Sequence, residues 1–358
     1  MLINAEPLCR FVTEIFLSAG AAHAAAKETA DHLVLANLKG HDSHGVGMVP
    51  TYVGNIARGN LDPGAHMAVR RDTGSVVLAD GCFGFGQVVG REAADLAIAR
   101  SRETGLVCVG LRNAHHLGRI GTYAERCAAA GLVSVHFVNV VGHDPLVSPW
   151  GSPERRLQTN PFCVAVPRDD ESPIVLDMAT SAIAMGKVRV AYMSGKAVPD
   201  GALLDHEGMP TTDPRTMFEA PMGALGPFGT YKGYGLALMC ELLGGGLAGE
   251  WTMQPGHERV GTVVNNMLMF VLDPHAFGGY ASFQREVLAM VDYVKGAAPR
   301  NGFDRVRVPG EPESEAMAKR SAEGIPIDDN SWRALLDAAQ EAGMAEDAIR
   351  TAIGTGDG

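Results

Sequence analysis

Gly84-Phe85-Gly86-Gln87-Val88-Val89-Gly90 is the stretch on which the fold turns. It lies between a short run of branched residues at Ser75–Leu78 and a helical pattern at Val88–Arg100, where a dinucleotide-binding fingerprint would sit. Its glycines space as GxGxxxG, however, one residue longer than that fingerprint. The next apolar run, near Val107–Leu111, ends at Arg112 and not at an acid for a ribose hydroxyl. The stretch therefore reads as a strand–turn–helix corner that needs small residues for close packing.

Outward from that corner the pattern is α/β. Ser75–Leu78, Leu106–Leu111, Leu132–Val138, Cys163–Val166, Ile174–Leu176 and Val263–Val271 are short runs rich in branched residues and predict strands. Val88–Arg100, Tyr123–Ala130 and Gly233–Leu247 predict helices between them. Residues 195–231, dense in Gly, Pro, Thr and Asp, predict a long excursion over the core. Both ends are helical. Leu8, Phe11, Val12, Ile15 and Phe16 form an apolar stripe closed by Gly20. Helices are also expected over Ala24–Leu38 and Gly45–Ala57, the latter complicated by Pro50. Val308–Pro312 predicts a turn before a charged helix, followed by helices over Ser331–Ala342 and Met344–Ile353. The expected division is a helical domain from 1–75 and 310–358 around an α/β core of 76–309.

The balance of 30 basic against 41 acidic residues gives a formal charge of −11, with no basic block. Nucleic acid and anionic membranes are poor partners for such a chain. Cys9, Cys82, Cys108, Cys127, Cys163 and Cys240 form no CxxC, and the closest two lie 19 residues apart, which suits a reducing compartment. The first residues, MLINAEPLCR, lack a basic segment leading into an apolar run, so no signal peptide is expected. Tyr234–Trp251 is apolar but broken by Glu241, Glu250 and five glycines, and predicts a buried helix and not a membrane span. A cytoplasmic protein is the expectation.

Four clusters carry chemistry. His41-Asp42-Ser43-His44-Gly45-Val46 puts imidazole beside a hydroxyl and a carboxylate, suited to proton transfer; capping by Asp42 or Ser43 explains it equally well. Arg112-Asn113-Ala114-His115-His116-Leu117-Gly118-Arg119 follows a strand and precedes a helix, where α/β proteins gather ligand groups. Asp177-Met178-Ala179-Thr180-Ser181 follows Ile174–Leu176 and offers a phosphate or ribose site, or a simple helix cap. Lys232 stands among glycines in Pro227–Gly235 without forming a Walker A motif. His41, His44, His115, His116 and Asp177 could supply zinc ligands, but HExxH is absent and no resident metal is expected.

Taken in order, these segments resemble the type-2 malate/L-lactate dehydrogenase family. The resemblance runs nearly end to end. It rests on Gly40–Val46 with Pro50 and Tyr52, Gly84–Gln87, and Arg112-Asn113 with His116 and Gly118. It continues through Thr159-Asn160-Pro161, Asp177–Ser181, Pro227–Gly229 with Lys232-Gly233, and Pro309-Gly310-Glu311. The resemblance implies a non-Rossmann, mainly antiparallel mixed sheet wrapped by helices, and a homodimer. It implies hydride transfer between NAD or NADP and C2 of a small 2-hydroxy or 2-oxo acid. His44 or His116 is then the acid and base, with Ser43 and Asp177 orienting the imidazole or the nicotinamide. The cofactor is expected against His44, Gly118, Arg119, Ile120, Asp177, Met178, Ala179, Lys232, Asn266, Pro309, Gly310 and Glu311. Arg112, Arg119 and Asn160 are the expected substrate contacts. One departure stands out: Met48 occupies the position where many members carry a carboxylate-gripping arginine, a pattern similar to the hydroxycarboxylate dehydrogenase branch. Arg119 is the candidate replacement; the rival reading turns it toward the cofactor phosphates. A catalytically inactive nicotinamide-binding relative and a metal-dependent hydrolase are the alternatives.

Overall fold

A computed structural model describes residues 1–169, 171–345, 347 and 349. β1 (Leu2–Ile3) leads into α1 (Ala5–Ser18), which buries all five residues of the predicted stripe. α2 (His23–Leu38) packs against it. Two 3₁₀ turns, Asp42–His44 and Val46–Met48, then precede α3 (Val49–Ala57). The helix expected from Gly45 thus starts later, with Pro50 in its first turn, where a missing N–H leaves no helical bond unmade.

Next come β2 (Ala68–Asp72), β3 (Val76–Asp80), α4 (Gly86–Thr104), β4 (Leu106–His115), α5 (Gly121–Ala129), β5 (Val133–Val141), β6 (Phe162–Val166) and β7 (Ile174–Met178). α6 (Met185–Met193) precedes the expected excursion over 195–231, which carries β8 (Leu203–Leu204), β9 (Pro210–Thr211) and β10 (Ala224–Leu225). These three pair in the order β10-β8-β9 over a small apolar core that includes Val147, Val188, Leu203 and Leu225. α7 (Tyr231–Cys240) continues as a π-helix over Glu241–Gly249. β11 (Val264–Leu272), α8 (Tyr280–Lys295), α9 (Glu311–Glu323), β12 (Ile325–Pro326) and α10 (Asp329–Glu341) complete the described elements. The last predicted helix, Met344–Ile353, falls mostly outside the described residues.

The main sheet has seven strands in the order β2-β3-β4-β11-β5-β6-β7. Its pairs are antiparallel apart from β3 with β4. That one parallel pair needs a crossover, and α4 supplies it, so the Gly84–Gly90 corner is the turn of a lone βαβ unit. The sheet is mixed and mainly antiparallel, and no Rossmann domain forms among the described residues.

β11 returns from late in the chain to sit between β4 and β5, nine residues long and almost wholly buried. Residues of α1, α2 and α3 share a core with Ile325, Leu335 and Ala338 from the other end of the chain. Besides the two-residue strands, β2, α6 and α8 were not expected. β2 exposes four of its five residues, α6 buries only Val188, and α8 buries only Gln284 and Val291. Neither β2 nor α6 displays the apolar periodicity that betrays a half-buried element, whereas α8 carries Phe283, Val287, Val291 and Val294 at helical spacing, a stripe not among the expected helices. Among the described residues no helix is long and apolar enough to cross a membrane.

Candidate active site

The turn after α2 is shaped by Asn37. Its Oδ1 accepts the Val46 N–H at 2.8 Å and its Nδ2 donates to Asp42 Oδ1 at 2.7 Å. A Cβ on Gly45 would fall 2.1 Å from Asn37 Oδ1, so only glycine fits there. Arg320 of α9 grips both Asp42 oxygens, at 2.6 and 3.0 Å, and His41 lies 3.4 Å from Glu313. Neither Asp42 nor Ser43 caps a helix here: the side chain of Asp42 ties the turn to the C-terminal helices instead. What the turn presents is His44, with Ser43 Oγ 3.0 Å from its Nδ1.

His116 arrives from the end of β4. The β4–β11 register slips between Asn265 and Met267, a bulge in which Asn113 takes φ of 52°. Asn266 Oδ1 accepts the Asn113 N–H at 2.9 Å, and Asn265 Oδ1 accepts the Leu117 N–H at 2.8 Å. The two asparagines clamp the backbone on either side of His115-His116. The His116 ring then stacks on His44 with centroids 5.5 Å apart and planes at 18°. Behind it, Tyr52 of α3 places its hydroxyl 2.7 Å from His116 Nδ1. Gln87 Nε2 donates to that hydroxyl at 2.9 Å and to the His116 carbonyl at 3.2 Å.

This contact explains the glycine-rich corner. A Cβ on Gly86 would lie 2.2 Å from the His116 carbonyl oxygen, and one on Gly90 would lie 2.6 Å from the Tyr123 ring. The corner brings α4 onto the histidine turn and delivers Gln87 to it.

Asp177 stands within β7, paired with Cys163, and not at a helix start as expected. Among the described residues no helix begins between Asp177 and Met185, so capping does not account for Asp177–Ser181. Asp177 Oδ2 accepts the Gly121 N–H at 2.7 Å and lies 3.8 Å from Arg119 Nε. Arg119 is fully buried and pairs with Glu125 at 2.8 Å, which also holds Lys39 at 2.6 Å. Its Nε and Nη1, and Thr122 Oγ1 in the first turn of α5, are buried without a hydrogen-bond partner among the described residues. His32 Nε2 accepts the Arg119 N–H at 3.0 Å and packs under Gly118, where φ is 70°.

Burial dominates the electrostatics, since low dielectric disfavours a charged imidazole. It lowers His44 to about 4, with the Asp177 carboxylate pulling the other way. It pushes His116 well below its ordinary range, helped by the neighbouring histidines 44, 115, 32 and 143. His32 falls to about 3 for the same reason and stays a neutral acceptor.

Other expected site residues are placed differently. Arg112 is engaged by Asp80 at 3.2 Å and Glu250 at 3.0 Å and does not reach the histidine pair as a free guanidinium. Asn160 is fully buried; it donates to Glu241 at 2.7 Å and Ala237 O at 3.1 Å and accepts from Val140 N at 3.1 Å. Asn266 is likewise buried, donating to Asn139 Oδ1 at 2.9 Å. Both serve an interior amide network around Glu241.

Pro309-Gly310-Glu311 runs along β7: Pro309 O accepts the Val175 N–H at 3.1 Å. The Glu311 carboxylate accepts from Val308 N at 2.9 Å and pairs with Lys295. Met178 and Ala179 are half-buried, Ile120 is buried and Lys232 is exposed in the first turn of α7. A Cβ on Gly186 would sit 3.2 Å from Ser43 Cβ, so the first turn of α6 closes over the site.

The suggested zinc ligands diverge, His41 toward Glu313 and His115 toward Asn55 and Thr262. Among the described residues no group of three His, Cys, Asp or Glu could hold a metal ion. A cavity of about 420 Å³ lined by Val133, Leu272, Phe277 and Phe283 lies at the opposite end of β5 and β11 from the histidines.

Sequence reasoning did not assign Tyr52, Gln87, Asn37 or His32 to the site. Only Tyr52 and Gln87 stood in recognisable motifs, and nothing local marked either as a partner of His116.

Known proteins resemble the chain along nearly its whole length. Residues 3–336 match the family model for malate/L-lactate dehydrogenase. The chain is 43% identical over 352 residues to hydroxycarboxylate dehydrogenase B of Escherichia coli strain K12, covering 97% of this chain and 96% of that one. It is 40% identical over 321 residues to an L-lactate dehydrogenase of Cupriavidus necator, covering 89% and 92%. The solved sulfolactate dehydrogenase of Methanocaldococcus jannaschii superposes with a TM-score of 0.85 at 32% identity, over 98% of this chain and 99% of that one.

Proposed function

The chain belongs to the malate/L-lactate dehydrogenase family and is an oxidoreductase, and on that premise we propose that it moves a hydride reversibly between a nicotinamide dinucleotide and C2 of a small 2-hydroxy or 2-oxo acid. One observation carries the reading. His44 and His116 stack face to face, each Nδ1 met from behind by a hydroxyl, while neither Nε2 has a partner among the described residues. Two imidazole edges are thereby left for a reacting oxygen.

His116 is the acid and base in this reading. Its back is a neutral hydroxyl that can donate or accept, as Ser43 is for His44, but the Tyr52 hydroxyl is itself held by Gln87, so this ring is the better fixed in both of its charge states. In reduction Nε2 gives a proton to the oxygen on C2; in oxidation it takes that proton back. His44, beside Asp177, holds and orients the same oxygen or the carboxamide. Ser43 fixes the His44 ring.

The interior fits a dinucleotide. Arg119 Nη1 and Nε and Thr122 Oγ1 are buried polar groups awaiting an acceptor or donor, beside the first turn of α5. Gly118–Ile120, Asp177–Ala179, Lys232 and Pro309–Glu311 would hold it, while Asn266 acts at one remove through the bulge. When bound, the nicotinamide supplies or receives the hydride. Arg119, already facing Glu125 and Asp177, suits the cofactor side better than a substrate carboxylate.

Met48 packs on the helical core and adds no charge. Ser43 and His44 are therefore the groups we assign to the substrate's polar end. Separate stopped-flow measurement of hydride transfer in His116→Gln and His44→Gln tests the assignment; near wild-type rates in both would contradict it.

Three broader readings go with this one. The helical ends form one domain and the α/β core another, supported by the shared apolar core of α1–α3 with α10. The partner is a second copy, for which exposed Val190, Met193, Leu242 and Leu247 offer apolar area; sedimentation measures it. The compartment is the cytoplasm, in keeping with six free cysteines.

A further inference from the structure

Tyr52 is wholly buried, and its hydroxyl has three neighbours: Gln87 Nε2 at 2.9 Å, His116 Nδ1 at 2.7 Å and the His116 carbonyl at 3.4 Å. The orientation of the Gln87 amide follows from chemistry. The His116 carbonyl can only accept, and the Gln87 atom 3.2 Å from it must therefore be the nitrogen. The same nitrogen donates to the Tyr52 oxygen. The Tyr52 hydrogen then has one close acceptor, His116 Nδ1. A neutral His116 that accepts at Nδ1 carries its proton on Nε2.

We propose that Tyr52, held by Gln87 from the glycine-rich corner, is a positioning residue that sets the tautomer of His116, presenting Nε2–H to the carbonyl oxygen of a 2-oxo acid. This rests on the assignment of His116 as acid and base. The hydroxyl also has a second position. When His116 is an imidazolium, Nδ1–H donates to the Tyr52 oxygen and the Tyr52 hydrogen turns to the His116 carbonyl. Nε2–H is then the proton delivered in reduction. Its departure leaves the Nδ1–H ring, whose free Nε2 is the base for the reverse reaction. Exchange of protons with water returns that ring to the resting Nε2–H form, in which Tyr52 again donates to Nδ1. The two acceptors lie on the same residue, so the hydroxyl follows the charge of His116 by rotating about one bond. The corner whose glycines imitate a dinucleotide fingerprint thus contributes Gln87, which keeps the Tyr52 oxygen an acceptor throughout.

The test is nitrogen NMR of the histidine-labelled protein, with the His116 signals identified by their loss in His116→Gln. At neutral pH the wild type is expected to show His116 neutral and protonated on Nε2. Tyr52→Phe keeps the ring that packs on Phe16 and is expected to give a mixture of tautomers or Nδ1–H. Its kcat/KM should fall about ten- to a hundredfold in both directions, the size of effect seen when the hydrogen-bond partner that orients a metal-ligating histidine is removed. Gln87→Met, which frees the hydroxyl to rotate, should shift the same signals partway. A wild-type ring protonated on Nδ1, or a tautomer unchanged in Tyr52→Phe, overturns the proposal, and the wild-type spectrum does so even if a variant fails to fold. These spectra do not depend on turnover. Full hydride transfer by His116→Gln instead overturns the acid–base reading, and with it the catalytic half of the proposal.

Discussion

His44 and His116 come from opposite ends of the fold's logic, one from a turn pinned to the C-terminal helices and one from a bulged strand, yet their rings stack 5.5 Å apart. Desolvation at that distance makes a double positive charge unfavourable, so the pair works with at most one proton beyond neutrality.

Stability should fall in mild acid. His32, His44, His115 and His136 are held at about 3 to 4 by burial, with His116 also far below its ordinary range. Unfolded, each titrates near the ordinary histidine value of about 6.5. Between those limits the unfolded chain binds more protons, so stability is complete above about 6.5 and is lost as pH falls toward 4. Urea midpoints at neutral pH and at steps below it measure this. A flat profile would contradict the burial of these rings.

Gly86→Ala should be damaging and Gly47→Ala harmless. The first forces a methyl group to 2.2 Å from the His116 carbonyl oxygen, whereas a Cβ at Gly47 meets nothing within 4 Å. Overpacking of this kind costs about 1–3 kcal/mol, and here it also displaces Gln87 and His116. Thermal melts and steady-state rates on the two variants provide the comparison.

Arg119→Met separates cofactor from substrate. Breaking a buried ion pair costs about 3–5 kcal/mol, an upper figure here because Lys39 still holds Glu125. The melting temperature should drop. Cofactor affinity should weaken about tenfold or more, as expected for one lost charged hydrogen bond. KM for the 2-oxo acid at saturating cofactor should change little. A rise in that KM alone would return Arg119 to the role of carboxylate anchor.

Arg320→Ala loosens the turn that carries His44. Asp42 is half-exposed and Arg320 mostly covered, with a further bond to the Asn37 carbonyl, so the stability loss should be about 1 kcal/mol, the upper end for a surface pair. Turnover should fall more than stability does, because the turn loses its bidentate grip. Equal retention of both would make the contact incidental to the site.

Much of this was legible in the chain. The Leu8–Phe16 stripe reads directly because α1 packs one face against the core, and β11 reads because it is buried on both sides. α8 was not expected, although Phe283, Val287, Val291 and Val294 follow helical spacing; of that stripe only Val291 is buried. The histidines stood out through their motifs. Their supports did not, for Tyr52 and His116 are 64 residues apart and Gln87 and Tyr52 are 35 apart. No local pattern encodes such contacts; they follow from where β11 inserts and how α4 crosses. Asn160 and Asn266 show the opposite case: each looks like a ligand contact in the chain, and in the fold its side chain is engaged by interior hydrogen bonds.

The central claim is hydride transfer with His116 as proton donor and acceptor. Its most direct test is a single-turnover measurement, mixing the enzyme and reduced nicotinamide with a panel of small 2-oxo acids and following the nicotinamide absorbance. The wild type is expected to oxidise the cofactor with at least one acid. His116→Gln is expected to bind the cofactor normally but to lose about 10²–10⁴-fold in the chemical step. Wild-type silence across the panel without cofactor binding, or an undiminished step in His116→Gln, would contradict the account.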